Sequence, residues 1–142
     1  KGKKTGWLSA EYAMLPTATA QRTQRESSQA NRNARSVEIS RLIGRCLRTC
    51  VDLDSIGERN ITVDCDVLQA DGGTRVASIT AASIALSIAC QRWLASKMID
   101  RDIFKGEIGA ISVGIVNGEA LTDLSYHEDS QADADFNFIF SL

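Results

Sequence analysis

The segment VLQADGGTRVASITAA, residues 67–82, combines residue types that suit an anion-binding turn. Gly72 and Gly73 carry no side chains that would block close approach to the backbone. A helix beginning directly after them would present unpaired N–H groups and the positive end of its dipole, and phosphate is a common ligand of such a helix end. A plain glycine turn is the alternative, because a Gly-Gly pair before a helix is most often only a tight turn. The segment matches neither G-x-x-x-x-G-K-[ST] nor G-x-G-x-x-G, so these motifs do not predict a nucleotide-binding loop.

Two carboxylates in the segment HEDSQADADFN could hold a divalent cation. Asp129 and Asp135 are an even number of residues apart, so an extended backbone would place both on one face. Mg²⁺ is typically held by one or two carboxylates together with phosphate oxygens. A solvated acidic turn is the alternative. His127 has no serine, cysteine or aspartate partner set by spacing, and we expect it to be an exposed loop residue.

Charge is distributed unevenly along the chain. Residues 1–50 contain ten Lys/Arg against three Glu, a net charge of +7, whereas residues 51–142 carry −9. The segment QRTQRESSQANRNARS has no apolar residue larger than alanine and therefore no core of its own to cover; it contains Arg22, Arg25, Arg32 and Arg35. These arginines predict contact with nucleic acid or phosphate, with a solvated basic surface as the alternative.

Composition limits the class of protein. With 142 residues, of which 44% are hydrophobic and 24% charged, the chain is typical of one globular domain with one core. Its apolar runs are too short to cross a bilayer, and its first residues lack the apolar region of a signal peptide, so we expect a cytoplasmic protein without a membrane partner. The four cysteines form no C-x-x-C pair and are expected to be buried free thiols.

Hydrophobic periodicity predicts the elements that must position these residues. SVEISRLIGRCLRTCVDL, residues 36–53, has near-helical spacing with Ser36 as a plausible N-cap. NITVDCDVLQ, residues 60–69, alternates as a strand with one buried face, and a long buried helix is expected from Val76 to about Met98. Asn117-Gly118 predicts a hairpin, and DADFNFIFSL a last strand with Phe136, Phe138 and Phe140 facing the core.

The chain resembles ribonuclease PH, a phosphate-dependent 3′→5′ exoribonuclease related to polynucleotide phosphorylase and to exosome ring subunits. The resemblance is carried by four blocks: GWLSAEYAMLP, RSVEISRLIGRCLR, TVDCDVLQADGGTRVASIT and SVGIVNGEALTDLSYHEDS. It implies an α+β fold of the ribosomal protein S5 domain 2-like type, with a mixed sheet packed against helices. Residues 1–142 would form a single, incomplete domain that lacks the family's N-terminal strands and C-terminal segment.

The resemblance also implies roles for particular residues. Inorganic phosphate, the co-substrate, would be held by the glycine turn and by an arginine just before the first helix; the matching residues are Arg35, Gly73, Thr74 and Arg75. The catalytic, Mg²⁺-binding carboxylates would be Asp129 and Asp135, and the RNA-binding arginines Arg22 and Arg25. The implied activity is phosphorolytic trimming of the 3′ ends of tRNA precursors by a homohexameric ring, a trimer of dimers, with release of nucleoside 5′-diphosphates.

Some positions depart from the family pattern. Ala13 and Thr17 stand where the family usually has glycine and arginine, and Asn33-Ala34 replaces a Gly-Gly pair. The loss of one positive charge should weaken RNA binding without abolishing it. A second class therefore stays open beside the active enzyme: a catalytically inert ring or RNA-binding subunit, or an inactive truncated form, of the same fold.

Overall fold

The computed structural model describes residues 5–26 and 33–142, so Arg32 lies outside the described residues. In chain order the helices and strands are β1 (Trp7–Met14), α1 (Ala34–Thr49), α2 (Leu53–Ile56), β2 (Asn60–Val67), α3 (Thr74–Ala95), β3 (Ile108–Val116), β4 (Glu119–Thr122), α4 (Tyr126–Gln131) and β5 (Ala134–Ser141). Within these ranges no helix is both long and apolar enough to cross a membrane.

The first sheet pairs β1 with β2 in parallel, from Trp7 opposite Asn60 to Met14 opposite Val67. Alternate residues of β1 point into the core, where Leu8 and Tyr12 are buried. The alternation predicted for β2 is confirmed, because Ile61, Val63, Cys65 and Val67 are the less exposed residues of that strand. One face of the sheet therefore contributes to the core, as period-two patterns require.

Helix α1 packs against β1 through an apolar stripe that includes Ile39, Ile43 and Leu47. The expected N-cap was wrong: the helix begins at Ala34, and Asn33 caps it by accepting a hydrogen bond from the Arg35 N–H at 2.9 Å. Ser36 lies inside the first turn, where it is buried and its hydroxyl donates to Glu26. Asparagine and serine are both favoured N-caps, so the pattern alone did not separate them.

Helix α3 is the long buried helix that the sequence predicts, and it spans Thr74–Ala95. Small and apolar residues such as Ile79, Ser83 and Leu86 are buried along it. It lies between the two sheets, since it contacts both β2 and β3. At β3, the Ile108 and Ala110 N–H groups each donate to a hydroxyl of α3 at 3.0 Å. The helix thus connects the glycine turn at its start with both sheets.

The second sheet is antiparallel, in the order β4-β3-β5. Its hairpin is confirmed, with φ angles of 51° at Asn117 and 80° at Gly118. These positive angles are the ones that a type I′ turn needs at both central positions.

The expectation that the last strand's phenylalanines face the core is wrong. Phe136, Phe138 and Phe140 are 52%, 53% and 48% exposed. Their register partners on β3 are Val113, Ile111 and Gly109, and directly paired residues point to the same side of a sheet. Alternation placed these rings on one face correctly, but the core lies on the opposite face, which carries Ile108 and Ala110.

Candidate phosphate and metal site

A cavity of about 800 Å³ brings together residues from four separate parts of the chain. It is lined by Met14 and residues 19–21, by Arg35 of α1, by the turn at residues 70–74, and by Tyr126 and Asp129 of α4. Four of the predicted site residues therefore share one cavity: Arg35, Gly73, Thr74 and Asp129. The site lies where the glycine turn meets the acidic helix.

The N-terminus of α3 opens into this cavity without a side-chain cap. Gly73 is the N-cap in the left-handed conformation, with φ 72°, and makes no capping hydrogen bond through a side chain. At the start of the helix, the Ala77 N–H donates a hydrogen bond to the carbonyl of the N-cap residue Gly73 at 3.0 Å. The preceding amides, including those of Thr74 and Arg75, have no partner inside the helix and suit an anion.

Two side chains outside the predicted set lie against this turn. The Thr74 hydroxyl is 2.9 Å from the Tyr12 hydroxyl, and both residues are buried. Ser112 is 7% exposed, and its hydroxyl has no hydrogen-bond partner. A methyl group placed on Gly73 would lie 3.3 Å from that hydroxyl. The sequence contains no signal for either contact, because Tyr12 and Ser112 lie in segments that read only as alternating strands.

Arg35 is the cavity's cationic side chain among the described residues. It lies in the first turn of α1, not just before the helix as expected, and it is exposed. Its presence beside Gly73 and Thr74 places a positive charge near the uncapped helix start. A guanidinium and a helix N-terminus together favour a multiply charged anion such as phosphate.

Arg75, in contrast, does not line the cavity. Its Nη1 atom lies 3.0 Å from both carboxylate oxygens of Glu38 on α1. In this arrangement the side chain of Arg75 is held by an ion pair, and only its backbone belongs to the helix start. The predicted phosphate ligand is therefore present in the turn but has its side chain turned to another partner.

The acidic segment adopts a structure that the sequence interpretation missed. Residues 126–131 form the short helix α4, so Asp129 is helical, while Asp135 lies on β5. The argument from one extended face was therefore wrong, and His127 is an exposed helical residue rather than a loop residue. The overlooked signal was the capping box Ser125-x-x-Glu128.

The capping box fixes the start of α4. Glu128 accepts hydrogen bonds from the Ser125 N–H and hydroxyl, each at 2.8 Å. The backbone bond, followed by the hydroxyl bond, lowers the pKa of Glu128. The Glu128 carboxylate is thus bonded to Ser125 at the start of the helix. The carboxylate that lines the cavity is that of the next residue, Asp129.

Asp135 is exposed and does not line the same cavity. Its register partner on β3 is Gly114, so its side chain is on the side of the sheet that carries Ser112 and approaches Gly73. Among residues 5–26 and 33–142, no three His, Cys, Asp or Glu side chains cluster as a metal site. The described structure thus provides two carboxylates on neighbouring elements rather than a closed metal cage.

The exposed residues Arg22 and Arg25 line a hollow next to the cavity, together with Pro16, Thr23 and Gln24. Another hollow lies between the two: Thr23 and Gln24 line both hollows, and Arg35 lines both this second hollow and the cavity. Successive depressions therefore share lining residues from the basic segment to the cavity at the start of α3. We call this row of depressions the basic path.

The cysteines are free thiols, as predicted. Cys50 and Cys90 are buried, whereas Cys46 and Cys65 are half-buried, so burial was overestimated for the latter pair. Burial raises the pKa of the Cys90 thiol to about 11. A raised pKa marks a packing residue rather than a reactive nucleophile.

The two sheets around α3, with a cavity at the start of that helix, define a ribonuclease PH-like α+β fold. Residues 1–90 match the model of the 3′ exoribonuclease family, domain 1, and residues 106–141 match domain 2 of that family. The chain therefore belongs to the 3′ exoribonuclease family. It is also similar in structure to a crystal structure of rice (Oryza sativa) Rrp46, with a TM-score of 0.71 at 17% identity. That similarity covers 99% of this chain and 56% of the rice chain, so this chain spans little more than half of the rice protein's length.

Proposed function

We propose that this chain contributes the phosphate-binding and catalytic site of a phosphorolytic 3′→5′ exoribonuclease. The observation that carries the proposal is the cavity in which the uncapped start of α3, the side chain of Arg35 and the carboxylate of Asp129 meet. Family membership supports RNA as the substrate class. The proposed substrates are the 3′ ends of tRNA precursors in the cytoplasm, and the proposed assembly is a hexameric ring.

In this mechanism inorganic phosphate binds at the start of α3. The Thr74 and Arg75 amides and the Arg35 guanidinium offset the repulsion between the phosphate and the RNA backbone. A phosphate oxygen attacks the phosphorus that links the last nucleotide to the RNA. The bond from this phosphorus to the 3′ oxygen of the preceding nucleotide breaks, which leaves a shortened RNA and a nucleoside 5′-diphosphate.

The donor chemistry of the site fits Mg²⁺. Asp129 lines the cavity, and Asp135 is exposed on the side of the neighbouring sheet that approaches Gly73. Carboxylate oxygens, one or two per ion, are what Mg²⁺ takes from proteins when phosphates supply other ligands. Bound there, the ion would offset negative charge on the reacting phosphodiester.

A product analysis tests this proposal. Radiolabelled RNA is incubated with the full-length protein, Mg²⁺ and either phosphate or no phosphate. Nucleoside 5′-diphosphates that form only with phosphate support the proposal, because phosphate then replaces water as the nucleophile. Nucleoside monophosphates formed without phosphate would overturn it. Sedimentation of the same protein tests the ring, which a stable monomer at working concentration would contradict.

The second candidate is an inert ring or RNA-binding subunit. It is favoured by the pairing of Arg75 with Glu38 and by Thr17, an exposed residue where the family usually has arginine. RNA binding without phosphate-dependent turnover in the full-length protein would support this candidate.

A further inference from the structure

We infer that Asp71 is a positioning residue that connects the glycine turn, residues 70–74, to helix α4. Its effect on catalysis rests on the proposed function, but the contact itself does not. One carboxylate oxygen, Oδ1, accepts hydrogen bonds from the Gly72 N–H at 2.9 Å and from the Tyr126 N–H at 2.5 Å. Asp71 and Tyr126 are 55 residues apart, so this atom joins two distant parts of the chain.

Close backbone packing accompanies this bond. A methyl group placed on Gly72 would lie 1.9 Å from the Leu124 carbonyl oxygen and 2.8 Å from the Ser125 carbonyl carbon. Only glycine allows the turn to approach the segment before α4 this closely. The hydrogen bond from Tyr126 therefore locks two backbones that are already in contact.

Helix α4 depends on such an anchor. It has six residues and none of them is buried. An isolated helix of this length is unstable in water. Its capping box uses the Ser125 and Glu128 N–H groups, and the Tyr126 N–H is donated to Asp71 instead.

The anchor determines where Asp129 lies. Asp129 is in the same short helix, and its N–H donates to the Ser125 carbonyl at 2.9 Å. It lines the cavity together with Gly73 and Thr74. Because reacting groups must be aligned closely, a small displacement of α4 would move this carboxylate away from a phosphate bound at the turn.

Two substitutions separate positioning from direct contact. Asp71→Asn keeps an oxygen acceptor at Oδ1 but removes the charge, whereas Asp71→Ala removes both. We expect Asp71→Ala to lower kcat for phosphorolysis about tenfold or more, with a smaller change in the phosphate KM. Asp71→Asn should restore kcat to within about threefold of the parent, since the Tyr126 N–H keeps an acceptor. Equal impairment of both variants would overturn the positioning role, because it would mean that the charge itself acts on the ligand.

Amide NMR provides a readout that needs no activity. In the full-length protein, hydrogen exchange at the Tyr126 amide should accelerate about tenfold in Asp71→Ala and remain near the parental rate in Asp71→Asn. Amides in the middle of α3 should keep their protection, which shows that the variant is folded. Asp54→Ala, at an exposed aspartate of α2, serves as the matched control and should leave the Tyr126 amide unchanged.

The two experiments fail in distinguishable ways. Unchanged exchange at Tyr126 in Asp71→Ala would overturn the inference even if the enzyme is active. Absence of phosphate-dependent turnover in the parent would refute the proposed function, while the exchange data would still decide whether Asp71 anchors α4.

Discussion

Arg75, in the first turn of α3, forms an ion pair with Glu38, in the second turn of α1, with Arg75 Nη1 3.0 Å from each carboxylate oxygen. Both side chains are partly exposed, at 26% and 49%. The pair connects the starts of the two helices that border the proposed phosphate site. In this pair the Glu38 carboxylate competes with any bound anion for the Arg75 guanidinium.

Removing the charge of Glu38 should therefore strengthen phosphate binding. We expect Glu38→Gln to lower the phosphate KM about two- to fivefold, the scale of an exposed ion pair, because the Arg75 guanidinium becomes available to the anion. Arg75→Ala should raise the phosphate KM, since the anion can then no longer draw the guanidinium away from Glu38 into a charge-assisted contact. In an Arg75→Ala background the Glu38→Gln change should have no effect. A lower KM in that background would show that Glu38 acts independently of Arg75.

The carboxylates should control turnover more than RNA affinity. We expect Asp129→Asn and Asp135→Asn each to reduce kcat about a hundredfold or more at fixed Mg²⁺, and to shift the Mg²⁺ dependence to higher concentration. RNA binding, measured by fluorescence anisotropy, should change little because the arginines supply most of it. Asp54→Asn is the matched control on α2. Parental turnover in both site variants would contradict the proposed mechanism.

The buried hydroxyl pair should contribute both stability and site geometry. Tyr12→Phe removes one partner of Thr74, and we expect a loss of about 1 kcal/mol in the free energy of unfolding, measured by urea denaturation. The phosphate KM should rise as well, because the Thr74 hydroxyl at the cavity loses its fixed orientation. A destabilised variant with an unaltered phosphate KM would restrict Tyr12 to a structural role.

The salt dependence of RNA binding should locate the basic path. Arg22→Ala should weaken affinity similarly for different RNA sequences and reduce the slope of log K against log salt by about one. Arg92→Ala, at an exposed arginine near the far end of α3, should leave the slope unchanged. Equal slopes for parent and Arg22→Ala would exclude Arg22 from the RNA path.

High pH should destabilise the protein through Cys90. Burial raises the pKa of this thiol from 9.0 to about 11, so the unfolded chain loses the thiol proton first as pH rises. The stability associated with the neutral thiol is complete below the unfolded pKa and is lost as pH rises toward the folded value. We expect urea denaturation to show a fall of about 2 kcal/mol across this range in the parent. The fall should be smaller in Cys90→Ala, and identical pH profiles would argue against a shifted Cys90.

Local patterns predicted the elements whose signals are complete within a short stretch. The alternation of β2, the apolar composition of α3 and the Asn117-Gly118 hairpin each depend on side-chain periodicity or on turn conformations encoded by adjacent residues. Other local signals were present but misjudged. Asn33 caps α1 instead of Ser36, and the capping box of Ser125 and Glu128 begins a helix where extended chain was expected.

Which residues come into contact depends on how distant segments of the chain pack together. The Phe136 side of β5 could be assigned to solvent only from the position of the core relative to the second sheet. Glu38 and Arg75 are 37 residues apart, and Asp71 and Tyr126 are 55 apart, so neither pair has a spacing signal. Short-range patterns are enough to place a glycine turn before a helix and carboxylates later in the chain. Packing of α3 between two sheets determined that they border one cavity, because contacts between distant segments depend on the complete arrangement of the chain.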